Sequence, residues 1–183
     1  MGRVRRSGEG AVMRAAVLYE SMFGNTRDVA TAIAEGLGSE LDVEVVEVSQ
    51  APPTLASNVD LLVLGGPTHA LGMSRDSTRT SAIDQATNGL VSPGIGLREW
   101  LAAAQLPPST AVAVFDTRVD KPRVPGSAAA SAHRKLRRLG ARPVAPAENF
   151  FVEDMTGPLI AGELDRARRW GEQLAAEIAP APA

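Results

Sequence analysis

A chain of 183 residues with 44% hydrophobic and 22% charged residues has the size and balance of one globular domain. The absence of cysteine excludes disulfides, thiolate metal sites and cysteine nucleophiles, and two histidines are too few for a histidine-rich metal centre. The net charge of −2 gives no general pull toward nucleic acid or membrane, and no apolar run approaches the roughly 18 residues that span a bilayer. Arg3, Arg5 and Arg6 resemble the head of a signal peptide. Arg14 and Glu20 then break the apolar stretch without a small-residue cleavage site, so a cytoplasmic protein is expected.

Residues 1–12 are rich in Gly and Arg and read as a flexible tail, with Met13 a candidate natural start. Ala15–Tyr19 is a short apolar run suited to a strand covered on both faces. After the loop Glu20–Gly24, a helix is expected from Asn25 to Leu37, with Val29, Ile33 and Leu37 in one stripe beside Ala30 and Ala34. Asn25 is its expected cap, and Gly36 and Gly38 are its expected stop. Val43–Val48 alternates apolar and acidic residues, as an edge strand does. Asp60–Leu64 is a buried strand ending at Gly65-Gly66-Pro67.

The segment from Thr68 to Pro93 has no strong periodicity and reads as a long functional or mobile loop. A helix over Leu97–Ala104 and a strand over Ala111–Phe115 follow. A helix is expected from Ser127 to Leu139, then a strand at Phe150–Val152. The last helix, Gly162–Ile178, would place Leu164, Ala167, Gly171, Leu174 and Ile178 on one face, and Pro180–Ala183 is a tail. No repeat or interior linker divides residues 13–179, which read as one domain.

Strands alternating with helices imply an α/β fold: a doubly wound five-stranded parallel sheet of order 2-1-3-4-5 between two helical layers. Ligands of such sheets bind beyond the carboxyl ends of the strands, at the switch point between strands 1 and 3. The loops Glu20–Thr26, Gly65–Ser74 and Asp116–Pro125 therefore share one rim.

The first of these contains Ser21-Met22-Phe23-Gly24-Asn25-Thr26. A phosphate here would accept hydrogen bonds from N–H groups at the helix start and from the hydroxyls of Ser21 and Thr26, while Gly24 lets the backbone approach closely. A dinucleotide fingerprint needs three spaced glycines and a Walker loop needs Gly-Lys-Ser/Thr, and neither is present. A low-molecular-weight phosphatase needs a cysteine, and a receiver domain an Asp after the third strand, where Gly65-Gly66-Pro67 stands instead.

Ser-x-x-Gly-Asn-Thr after a first strand resembles the phosphate loop of flavodoxins, and Gly66-Pro67-Thr68-His69 resembles that family's segment beside the flavin ring. The likeness extends over roughly residues 13–178. It implies a flavodoxin-like three-layer sandwich with FMN as cofactor. The phosphate would then be held by Ser21, Met22, Phe23, Gly24, Asn25 and Thr26. The ring would be bordered by Pro67, Thr68, His69 and Ala70, with Asp116, Thr117 and Arg118 toward its pyrimidine edge. Within Ala70-Leu71-Gly72 a peptide could turn its carbonyl toward the flavin, and Gly65, Gly66 and Gly72 would allow positive φ beside the ring.

The family usually sandwiches the flavin between aromatic side chains. Here there are seven aromatics, none between Asp116 and Pro125, and the second loop offers His69 in place of Tyr or Trp. His69 would lie against the ring or donate to it, or simply support the loop. Arg118 would either favour anionic reduced flavin or pair with Asp116 or Asp120. Arg75, Asp76 and Arg79 lie where the chain is longer than a minimal flavodoxin, in a segment that reads as a lid, a dimer contact, a wall facing substrate, or an excursion without a role. Eight Lys or Arg against one acidic residue between Arg118 and Arg142 fit an acidic redox partner or a solvated helix face.

Three functions fit. The first is an FMN-binding redox protein passing electrons between larger partners, with no catalytic residue and no metal of its own. The second is an NAD(P)H-dependent quinone-reductase-type enzyme, favoured by the long loop and the missing aromatic sandwich. The third is a flavin-free module that keeps only the fold.

Overall fold

The structure is a computed structural model that describes residues 12–69, 72–86, 89–121 and 125–179. Its centre is three strands whose apolar runs leave no wet face: β1 (Arg14–Tyr19), β3 (Leu61–His69) and β5 (Ala111–Val119). β2 (Asp42–Glu47) pairs with β1 at the edge, where none of its residues is fully buried and half are exposed, as suits its mixed apolar and acidic sequence. On the other side β5 pairs, again in parallel, with two short pieces. β6 (Arg142–Pro143) lies along its start, and β7 (Glu148–Val152) lies along Phe115–Val119. Together they make the fifth parallel strand, interrupted at 144–147, so the parallel sheet runs β2-β1-β3-β5-β6/β7, which is the expected order 2-1-3-4-5 counted over its five parallel strands.

Alternation along each strand sends residues to opposite layers. Val17, Val63, Ala113 and Phe115 face α1 (Asn25–Leu37) and α5 (Glu163–Ile178). Leu18, Leu62, Leu64 and Val114 face α3 (Leu97–Ala103) and α4 (Ala128–Arg138). The first layer is completed by edge-to-face contacts among Phe115, Phe150 and Trp170, with ring centroids 6.0–6.3 Å apart. Gly65 makes room for this cluster, because a Cβ there would lie 2.0 Å from the Phe115 ring.

The structure corrects several sequence expectations. Gly36 lies inside α1 and does not end it: a Cβ there would sit 2.1 Å from the Arg168 carbonyl oxygen, and one on Gly171 would sit 2.2 Å from that of Ile33. The two glycines let α1 and α5 cross backbone to backbone, and Gly38 is the C-cap. Leu164 is 41% exposed. The inward position in the first turn of α5 belongs to Glu163, which accepts from Phe151 N at 2.7 Å.

The segment between Thr68 and Pro93 also holds regular structure: β4 (Gly72–Met73), antiparallel to the end of β3, and α2 (Asp76–Ile83). Only Arg79 and Ala82 of α2 are buried, so it has no apolar stripe to reveal it in the sequence. Among the described residues no helix is long and apolar enough to cross a membrane.

Candidate functional site

β1 and β3 stay paired to Tyr19 and Gly65, with Glu20 N donating to Gly65 O at 2.9 Å, and just beyond the chain turns through Gly24, whose φ of 98° is left-handed and suits glycine. α1 starts immediately after this turn, and its first intrahelical bond is Asp28 N to Gly24 O at 3.0 Å. Among the described residues no side chain caps the helix. The N–H groups of Asn25, Thr26 and Arg27 thus have no acceptor within the helix, and they add to the positive end of its dipole. Asn25, the expected cap, donates through Nδ2 to Thr156 O at 3.2 Å and so holds the loop after β7. Gly157 in that loop packs against it, where a Cβ would come within 2.7 Å of the Asn25 amide.

The turn is braced from behind. Ser21 is fully buried, and its hydroxyl accepts from Gly24 N at 3.1 Å. Ser21 N donates to Ser92 Oγ at 2.9 Å, Ser92 N to Ser21 O at 2.8 Å, and Val91 N to Met22 O at 3.1 Å. Thr26 Oγ1 and Thr117 Oγ1 are 2.7 Å apart.

These loops surround a cleft of about 350 Å³. From the first loop Ser21, Met22, Phe23, Asn25 and Thr26 line it. Pro67, Thr68 and His69 line it from the second, and Thr117 and Arg118 from the third. Gly24 shapes the turn without lining the cleft, and Ala70, with Leu71 beside it, lies outside the described residues.

Asp116 is placed differently from the expectation. It is fully buried one residue behind the wall, because strand alternation turns it toward α4 while Thr117 faces the cleft. Its Oδ2 accepts from Thr68 Oγ1 at 2.8 Å, Ser127 Oγ at 2.6 Å and Ala129 N at 3.1 Å, so it ties the second loop to the start of α4. Gly65, Gly66 and Gly72 have no positive φ. Among the described residues the left-handed glycines are Gly24, Gly89, Gly126, Gly140, Gly157 and Gly162.

Burial lowers the His69 pKa from its ordinary value, and the nearby Arg79 charge adds to the effect, so the imidazole facing the cleft is neutral at neutral pH. Arg118 donates through Nη1 to Gly126 O at 3.0 Å, across the third loop.

Sequence reasoning missed two groups of lining residues. α2 and its end contribute Thr78, Ser81, Ala82 and Gln85, so the long segment forms a wall of the cleft. Val152 and Met155 line it from the fifth strand and the loop beyond. The topology signalled the second group, because that loop also leaves a carboxyl end of the sheet. Among the described lining residues Phe23 is the one aromatic.

A doubly wound parallel sheet with an uncapped helix start opening on a cleft at its switch point places that cleft where sheets of this class receive their ligands. The chain belongs to the flavodoxin family, a family of flavin-binding proteins, whose sequence pattern matches residues 17–175. Similar solved structures include a flavodoxin from the domain Archaea, 21% identical, covering 91% of this chain and 99% of that one with a TM-score of 0.62. Flavodoxin 1 from Bacillus cereus is 20% identical and covers 90% of this chain and 96% of that one, with a TM-score of 0.61. A flavodoxin, WrbA-like protein from Agrobacterium tumefaciens is 17% identical, with 91% and 97% covered and a TM-score of 0.57. At these identities the likeness shows the fold. No curated protein sequence matches the chain.

Proposed function

We propose that this chain binds FMN in the cleft and passes electrons between larger partners. The observation that carries the reading is the left-handed turn at Gly24 leading into an α1 with no side-chain cap, at the switch point of a flavodoxin-family sheet. The N–H groups of Asn25, Thr26 and Arg27 and the α1 dipole would hold the phosphate, with the Thr26 hydroxyl available if it turns from Thr117. The cleft volume of about 350 Å³ lies within the range of small-ligand pockets.

Bound FMN supplies the redox chemistry, and the chain orients it and sets its surroundings. Neutral His69 offers a hydrogen-bonding imidazole at the second loop, and Arg118 places positive charge at the third. The basic residues Lys135, Arg137 and Arg138 of the last turn of α4, with Arg142 beside the start of β5, stand at the end of the sheet away from the cleft, so an acidic partner docked on them would not border the flavin. An absorption spectrum taken after adding excess FMN and desalting tests the reading. A retained two-band flavin spectrum supports it, and a colourless protein leaves a flavin-free module as the better account.

One observation favours a second reading, an NAD(P)H-dependent quinone-reductase-type enzyme. The cleft is lined by the polar helix α2 and by His69 where the family usually stacks aromatic rings. Steady-state NAD(P)H oxidation by the FMN-loaded protein with a quinone distinguishes the two, since a carrier would turn over negligibly.

A further inference from the structure

We infer that Arg79 is the positioning residue that seats α2 as a wall of the cleft, acting through a network with buried Ser74 and Glu20 and partly exposed Glu99. What the wall faces rests on the FMN reading above; the seating of α2 does not.

α2 has eight residues, of which Arg79 and Ala82 are buried. An isolated helix of this length is marginal, and one buried Ala supplies little apolar area to hold it. Its other side-chain hydrogen bonds stay local: Thr78 to Arg75, Thr80 to Asp76, Ser81 to Ser77. Arg79 reaches across to α3, where Nη1 and Nη2 meet Glu99 Oε2 and Oε1 at 3.1 and 3.2 Å in a two-pronged pair. Nη1 also donates to Ser74 Oγ at 2.9 Å. The exposed Asp76, 3.8 Å from Nη2, adds little by comparison.

The network continues inward. Ser74 Oγ donates a hydrogen bond to Glu20 Oε1, and Glu20 Oε2 accepts from Leu97 N at 2.8 Å. Glu20 is 1% exposed and immediately precedes the phosphate loop, so the network joins that loop to α2 and α3. Arg98 holds the same stretch from the other side, donating to Ser74 O at 3.0 Å and Met73 O at 2.8 Å.

The network also fills the space that a side chain on residue 96 would need. A Cβ on Gly96 would lie 2.5 Å from Arg79 Nη1, 2.8 Å from Ser74 Oγ and 2.8 Å from Glu20 Oε1. Thr78, Ser81 and Ala82 flank Arg79 on the same short helix and face the cleft, so fixing the guanidinium fixes that wall.

The test uses Arg79→Met, which keeps the side-chain length and removes the charge, alongside Arg79→Lys and Glu99→Gln. Amide hydrogen exchange is read in the ligand-free protein, and visible circular dichroism and FMN affinity in the loaded one. Exchange over residues 76–83 should accelerate by about tenfold or more in Arg79→Met, with the β1 and β3 amides unchanged. Arg79→Lys should restore part of the protection. The loaded Arg79→Met protein should show an altered visible dichroism.

Unaltered exchange in α2 overturns the inference, and so does a loosened α2 that leaves both flavin dichroism and affinity at wild-type values. If Arg79→Met does not fold, Glu99→Gln decides by the same exchange measurement, with acceleration expected and wild-type protection overturning. Failure of the wild-type protein to bind FMN would count against the cleft reading alone, because exchange in the ligand-free protein still tests the seating of α2.

Discussion

Thr26 and Thr117 meet hydroxyl to hydroxyl at 2.7 Å, linking the first turn of α1 to β5. Both are nearly buried, at 1% and 5% exposure, so each hydroxyl depends on the other when no ligand competes. Thr26→Val should therefore act twice. It should lower stability by roughly 1–3 kcal/mol by leaving Thr117 unpartnered, and weaken FMN binding by at least about tenfold through a lost bond to a charged group. Thr117→Val should cost similar stability with a smaller effect on FMN. Urea denaturation and flavin-fluorescence titration measure the two effects, and equal FMN affinities for both variants would remove Thr26 from the phosphate site.

Gly36→Ala should be among the most damaging single methyl additions. The new Cβ would lie 2.1 Å from backbone, which cannot swing aside as a flexible side chain does. Overpacking of this kind costs roughly 1–3 kcal/mol or more, a fall in melting temperature of roughly 2–12 °C for a chain of this size. A thermal melt matching the wild type would refute the close crossing of α1 and α5.

Glu163 and Leu164 make a paired test of which face α5 buries. Glu163 is 9% exposed, accepts from Phe151 N and pairs with Arg166, which holds its carboxyl below the usual range against the opposing effect of burial. Glu163→Ala should cost roughly 1–3 kcal/mol, whereas Leu164→Ala should stay within about 0.5 kcal/mol. Chemical denaturation of the two variants should rank them in that order.

His69 should make the fold sensitive to mild acid. Its folded pKa lies below the ordinary value, so the unfolded chain takes up the proton first as pH falls. The stability that its neutral form contributes is complete above about pH 6.5 and declines as pH falls toward the depressed folded value. Glu20 opposes this at lower pH, since burial raises its carboxyl and protonation there favours the folded state. His69→Gln should consequently lose less stability than the wild type between pH 7 and pH 5, read from urea midpoints. Equal losses would show that His69 is not desolvated.

The framework was legible where residues repeat with a period. The apolar runs at Ala15–Tyr19 and Asp60–Leu64 and the stripe Val29-Ile33-Leu37 give the central strands and α1, and topology places the loops on one rim. Features resting on single contacts were not legible. Gly36 reads as a helix stop until α5 is laid against it, and Asp116 reads as a cleft residue until strand alternation turns it to α4. α2 left no trace, because it is held by one buried arginine and has no apolar face.

The central claim is that the turn at Gly24–Thr26 holds the phosphate of FMN, and a comparison of FMN with riboflavin tests it most directly. The two ligands share the ring and differ in the phosphate, so their dissociation constants isolate what α1 contributes. Two or more hydrogen bonds to a charged group, at roughly 1.5–3 kcal/mol each, predict FMN binding at least about a hundredfold tighter. Riboflavin binding as tightly as FMN, or neither binding at all, would contradict the assignment.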